Sequence, residues 1–153
     1  MRSLLLLPLV AFSLALGGCI PPSDSRPGLW LSGPSSELPS DWSFTDAHGE
    51  IALEVRAPHL LAHSVTVWCA SLEGQLYLGA RNPEEKHWPG WVERDPDVRL
   101  RIDGRLYDAR LARIATSDEI ERVRAAYAVK YELPPHTPDS PPMRYWRVKT
   151  RGE

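Results

Sequence analysis

The stretch "NPEEKHWPGW", residues 82 to 91, sets Trp88 and Trp91 three residues apart beside Lys86 and His87, with Pro83 and Pro89 flanking them. Two chemistries fit such a segment. A cation and aromatic rings at the start of a short helix can grip a phosphorylated ring. The same aromatic pair can instead pack that helix onto a sheet, leaving Lys86 a solvated charge paired with Glu84 or Glu85. Other chemistries find little support. His63 and His87 are too few and too ill-spaced for a metal site. No Ser-His-Asp or Cys-His arrangement is suggested, and the one candidate nucleophile, Cys69, lies in the apolar run "VTVWCA" and reads as a small buried hydrophobe.

The start of the chain carries targeting chemistry. Arg2 precedes an apolar run from Leu4 to Leu16, too short to span a bilayer core of about 30 Å as a helix, and Gly17-Gly18-Cys19 closes it. "LGGC" resembles a bacterial lipobox, in which cleavage precedes the cysteine and its thiol is acylated. Residues 1–18 are therefore expected to be a lipoprotein signal peptide and Cys19 the lipidation site. Residue 20 is Ile rather than Asp, which suits the outer membrane, facing the periplasm. Residues 19–40 hold five prolines (21, 22, 27, 34, 39) with Gly and Ser, and are expected to form an extended tether with little to pack.

The remaining 41–151 must position any site, and they are long enough for one domain. Without Arg2 the 18 basic residues fall to 17 against 20 acidic ones, a net charge of −3, which offers no global field for nucleic acid. "EIALEVR", "HSVTVWCA" and "QLYLGA" read as strands, the last following the turn "SLEG". Asp103-Gly104 is a two-residue turn signal. It pairs Ile102 with Arg105, Leu100 with Tyr107 and Val98 with Ala109. That register sets Val98, Leu100, Ile102, Tyr107, Ala109 and Leu111 on one apolar face, with Arg99 opposite Asp108 on the other. As the best-defined hairpin, it is expected to suffer more from Gly104→Val than the "SLEG" turn from Gly74→Val.

A short helix is expected from His87 to about Arg94, stopped by Asp95-Pro96, with Pro89 tolerated in its first turn. A second follows Thr116, where Glu119 completes a capping box and Ile120, Val123, Tyr127 and Tyr131 recur at helical spacing. Prolines at 134, 135, 138, 141 and 142 separate it from a last strand in "RYWRVKTR". The order β-β-β-short α-β-β-α-β gives a sheet-dominated α+β domain.

From Asp41 to Tyr131 the chain resembles the FMN-binding split β-barrel superfamily, which includes pyridoxamine-phosphate oxidases, flavin reductases and deazaflavin-dependent nitroreductases. "LYLGARNPEEKHWPGWVERDPDVRLRIDG" carries the resemblance. It implies a split β-barrel with two flanking helices and a homodimer. It places Lys86 where an ammonium meets the cofactor phosphate, adds Arg81 as a second charge, and offers Trp68 or Trp88 as an apolar wall for FMN or a deazaflavin. The chain departs from the flavin-binding pattern at "HSVTVWC", where His63 and Ser64 stand in place of basic strand residues. A chain exported unfolded would also have to find its flavin outside the cytoplasm. Two functions follow: a cofactor-free binding or envelope module on a lipid anchor, or a flavin- or deazaflavin-dependent reductase or oxidase.

Overall fold

The computed structural model describes residues 28–152. The signal segment 1–18, Cys19 and the first part of the tether lie outside the described residues. Seven strands form one sheet: β1 (Ser35–Ser36), β2 (Ile51–Arg56), β3 (Ala62–Leu72), β4 (Gln75–Arg81), β5 (Asp97–Ile102), β6 (Arg105–Arg113) and β7 (Met143–Lys149). Their order is β1-β6-β5-β2-β3-β4-β7, and β7 also pairs with β6, so six strands close into a barrel and β1 adds to it. Two helices flank it, α1 (His87–Arg94) and α2 (Ser117–Tyr131). The expected element order and the sheet-dominated split barrel are both present.

Closure follows from alternation. Ile51, Leu53 and Val55 of β2, Leu76 and Leu78 of β4, and Trp146 and Val148 of β7 point to one side and share a core. A six-strand barrel is narrow enough for side chains to fill it. α1 closes the end reached by the C-terminus of β4 with Trp88 and Val92. Trp42 closes the opposite end, donating its backbone N–H to the Gly74 carbonyl at 2.9 Å. The β5–β6 hairpin has the register read from the sequence: Ile102 faces Arg105, Leu100 faces Tyr107, Val98 faces Ala109, and all six residues of the apolar face are buried. Arg99 Nε lies 3.3 Å from Asp108 Oδ1.

Asp103 (φ 50°) and Gly104 (φ 73°) both adopt the left-handed conformation that a type I′ turn needs. The β3–β4 turn has the same geometry, with Glu73 at 52° and Gly74 at 77°. The structure therefore corrects the expected ranking of the two glycines. A Cβ on Gly104 would meet open space, whereas one on Gly74 would come within 3.3 Å of Asp41 Oδ1, beside the carbonyl that holds Trp42. Backbone strain of about 1–3 kcal/mol applies at both turns, so Gly74→Val is expected to cost at least as much as Gly104→Val. Urea melts of the two variants check this; a clearly larger loss at Gly104 would contradict it.

The capping box is a second correction. Thr116 is the N-cap of α2, but its hydroxyl makes no bond to a helix N–H and lies 3.4 Å from Glu119 Oε2. Glu119 instead accepts from the Arg147 guanidinium of β7 and from the Tyr77 hydroxyl at 2.9 Å. A charge-assisted contact to the barrel outweighs a neutral one to the helix backbone. These contacts, with desolvation working against them, hold the Glu119 carboxyl below its ordinary range.

The part of the tether from Gly28 onward also differs from expectation: it packs. Two strands have edges that their neighbours cover only in part. β7 pairs with β6 over Arg110–Arg113, and β4 pairs with β3 from Trp68 to Leu72. The N-terminal segment fills the gaps. Gly28 and Ser64 exchange both backbone hydrogen bonds, at 3.1 and 2.7 Å, and β1 pairs in parallel with Leu106 and Tyr107. Between them Leu31 is buried against Ala52 and Leu106, and its N–H donates to Glu54 Oε2 at 2.5 Å. Uncovered strand edges are hydrogen-bonding liabilities, and a proline-rich segment can cover one with its remaining N–H and C=O groups.

Candidate functional site

The β3–β4 ladder ends at the Trp68–Gly79 pair. Beyond it β3 runs back to Ala62 paired with β2 on its other side and bridged on this side by Gly28 at Ser64, while Ala80 and Arg81 of β4 keep only their β7 partners. The barrel splits at this point. In an antiparallel ladder the backbone groups of alternate residues face opposite neighbours. Since Ser64 faces outward to Gly28, the N–H and C=O of Thr66 face across the split.

A cavity of about 560 Å³ occupies the split, lined by Thr66, Trp68, Arg81 and Lys86 together with His63, Val65, Val67, Gly79, His87, Trp88, Glu50 and Glu85. The structure thus brings Trp68, Arg81, Lys86 and Trp88 into one cavity. The local chain explains how. Arg81 ends β4, and Asn82 takes a left-handed conformation (φ 48°) that turns the chain into a single 3-10 turn, Pro83–Glu85. Lys86 then stands extended as the N-cap of α1, with no side chain capping that helix start.

The charges around the cavity are unevenly satisfied. Glu84 is taken by Arg144 at 2.5 Å, and Glu85 accepts from Asn82 Nδ2 at 3.2 Å. Among the described residues neither Arg81 nor Lys86 has a carboxylate within 4 Å, although Glu50 and Glu85 both lie in the wall. The pairing of Lys86 with Glu84 or Glu85 that the sequence allowed is absent. Two exposed cations therefore face one cavity beside an uncapped helix start, which favours an anion, while the Glu50 and Glu85 carboxylates of the same wall oppose one.

The aromatic residues divide their roles. Trp88 is 5% exposed, sits in the barrel core and packs on Trp146 at 4.8 Å between centroids. It is a core residue that shows an edge to the cavity. Trp91 is half-buried, stacked by His87 at 5.7 Å and met edge-on by His63 at 5.2 Å. Trp68 stacks on Tyr131 at 4.5 Å with the rings 12° apart, so one face of its indole is already occupied. Tyr131 is held in turn by its hydroxyl, 2.8 Å from the Cys69 carbonyl and 2.7 Å from that of Gly49.

Two strand residues behave differently from one another. His63 lines the cavity, whereas Ser64 is buried and engaged with Gly28. Thr66 supplies the hydroxyl on this wall, and sequence alternation alone gave no sign of it, because only the end of the β3–β4 ladder exposes it. Cys69 is fully buried as expected. Burial pushes its thiol pKa up, partly offset by the Lys130 ammonium 3.6 Å away, so it is a poor nucleophile.

Among the described residues no group of three or more His, Cys, Asp or Glu converges, and no helix is long and apolar enough to cross a membrane. The cation pair and Trp68 fit the phosphate and ring of a flavin-type group, while the strand wall offers a hydroxyl and an imidazole in place of further cations. No protein-family model matches the chain, and no curated protein matches it. Among solved structures, a protein of unknown function from Agrobacterium tumefaciens str. C58 is similar at 21% identity with a TM-score of 0.49. The match covers 66% of this chain and 47% of the other.

Proposed function

We propose that the chain is a lipid-anchored protein of the bacterial cell envelope whose split barrel is a binding module for a phosphorylated ligand. The observation that supports this reading is the pair Arg81 and Lys86, both without a carboxylate partner and both on one cavity with Trp68. Unpaired cations on a concave, partly aromatic wall recognise an anion attached to an apolar body.

The test is a titration of FMN, a deazaflavin and phenyl phosphate into wild type, Lys86→Ala and Lys86→Arg. Wild type is expected to bind at least one of them saturably. Lys86→Ala should lose about 1.5–3 kcal/mol, roughly ten- to a hundredfold in affinity, and Lys86→Arg should keep part of it. Trp88→Leu serves as the control that lowers stability with or without ligand. No saturable binding of any of the three would refute the reading. Binding that survives Lys86→Ala undiminished would refute the residue assignment.

The second reading is a flavin- or deazaflavin-dependent reductase or oxidase. It is favoured by the convergence on one cavity of all four residues that the superfamily resemblance assigns. A bound flavin would supply the hydride chemistry, and this chain would hold its phosphate at Arg81 and Lys86. Export unfolded, followed by folding where flavin is scarce, favours the module over the enzyme. A flavin absorbance band in protein recovered from its native envelope would reverse that preference. The anchor has its own test: labelled fatty acid should appear in wild type and vanish in Cys19→Ala, and equal labelling would remove the tether from the proposal.

A further inference from the structure

A second cavity, of about 280 Å³, lies between α2, β7 and the proline-rich loop that joins them. It shares two lining residues with the first, Trp68 and Arg81, so the two chambers adjoin at the indole. Its walls are chiefly apolar: Ala125 and Ala128 of α2, Leu133 and Pro134 beyond it, and Met143 and Tyr145 of β7. Its other polar residues are Ser140, His136 and the pair Arg124–Glu121, where the guanidinium lies 2.5 Å from the carboxylate. Arg124 and Glu121 cancel, which leaves Arg81, at the junction, as the unpaired cation of this chamber. A partly open chamber with this lining favours methylene or aromatic groups over a second anion.

Resting on the phosphate-binding reading above, we infer that the ligand is an extended amphiphile. Its phosphate lies between Arg81 and Lys86, and its apolar tail passes Trp68 into the chamber under the proline-rich loop. Tyr131 supports this path. By stacking on one face of Trp68, with its hydroxyl accepting from the Cys69 N–H and placed to donate to the Gly49 or Cys69 carbonyl, it holds the indole as a fixed wall that both chambers share. The chemistry specified is a monophosphate on a single flexible apolar chain.

Calorimetric titration separates the two claims, using ethyl phosphate, octyl phosphate below its micellar concentration, and octyl glucoside. Octyl phosphate is expected to bind at one site about a hundredfold more tightly than ethyl phosphate, since burying about half of its six additional methylenes suffices. Octyl glucoside, which lacks the anion, should bind at least tenfold more weakly than octyl phosphate. Filling the second chamber with Ala128→Trp, or with Ala125→Trp at an exposed helix position, should bring octyl phosphate down to the affinity of ethyl phosphate and leave ethyl phosphate unchanged. Lys86→Ala should weaken both phosphates. Equal binding of the two phosphates would overturn the amphiphile while the phosphate-binding reading stands, whereas equal binding of octyl phosphate and octyl glucoside would overturn the phosphate contact and with it both readings. Failure of both phosphates and of FMN to bind would overturn both.

Discussion

Gly79→Ala is expected to lower stability by about 1–3 kcal/mol, and Gly79→Val by more, through overpacking of a buried site. On propensity alone the sign should be opposite, because alanine loses less backbone entropy than glycine in a strand. Gly79 has no positive φ that would need a glycine. What decides the sign is Tyr127, whose ring crosses the strand so closely that a Cβ on Gly79 would lie 2.9 Å from Cε1 and 3.0 Å from Cζ and Oη. The ring has nowhere to go. Tyr127 is wholly buried against Val123, Tyr145 and Tyr77, and its hydroxyl lies 3.0 Å from the Trp68 carbonyl and 3.1 Å from that of Tyr77. Tyr127→Ala alone should cost about 3–5 kcal/mol. In that background Gly79→Ala should become nearly neutral, because the clash has been removed, and a double-mutant cycle in urea measures the coupling. An equal cost at Gly79 in both backgrounds would mean that Tyr127 is not the cause.

Alkaline pH should unfold the protein steeply, and Tyr127 should account for one proton of that dependence. Burial is the first cause that raises its phenol well above the ordinary 10.0, with the neighbouring Cys69, Tyr131 and Tyr145 adding to it. Burial likewise raises Tyr77, Tyr131 and Tyr145. A raised folded-state pKa means that the native form keeps its proton after the unfolded form has lost it. The contribution is therefore fully present below about pH 10 and is lost as pH rises from there through the folded-state value. For one phenol the loss is about 1.4 kcal/mol per pH unit within that window. Unfolding free energies measured from pH 9 to 12 should fall with pH, and Tyr127→Phe should remove about that much of the slope at the cost of its hydroxyl hydrogen bond. A wild-type stability that stays level across the range would contradict the burial of these phenols.

Parts of this molecule were legible from the sequence because their causes are local. A two-residue turn with positive φ at both positions, flanked by alternating apolar residues, sets the β5–β6 register without help from the rest of the chain, and that register is the one observed from Val98 to Ala109. The extent of α1 follows from Pro89 near its start and Asp95-Pro96 at its end. The inward face of α2 follows from the recurrence of Val123 and Tyr127. Burial of Cys69 follows from its neighbours.

Other features depend on residues far apart in the chain, whose pairing no local pattern encodes. The capping role expected of Glu119 yields to Arg147, 28 residues on, because β7 brings that guanidinium across the start of α2. The ranking of Gly74 and Gly104 turns on Asp41 and Trp42, which belong to a different segment. The segment after Gly28 looks unable to pack until barrel closure leaves two strand edges for it to cover. The site itself shows both sources. Lys86 stands out as a cation before a short helix, but its isolation from Glu84 depends on Arg144 taking that carboxylate. Trp68, Arg81 and Lys86 share a cavity only because the β3–β4 ladder stops at Trp68 and Gly79, which opens the barrel at the one place where all three can face the gap. Periodicity and turn chemistry act over a few residues and are written in the sequence; where a ladder ends and which carboxylate a guanidinium takes are settled by competition among distant partners, and only closure of the barrel decides that competition.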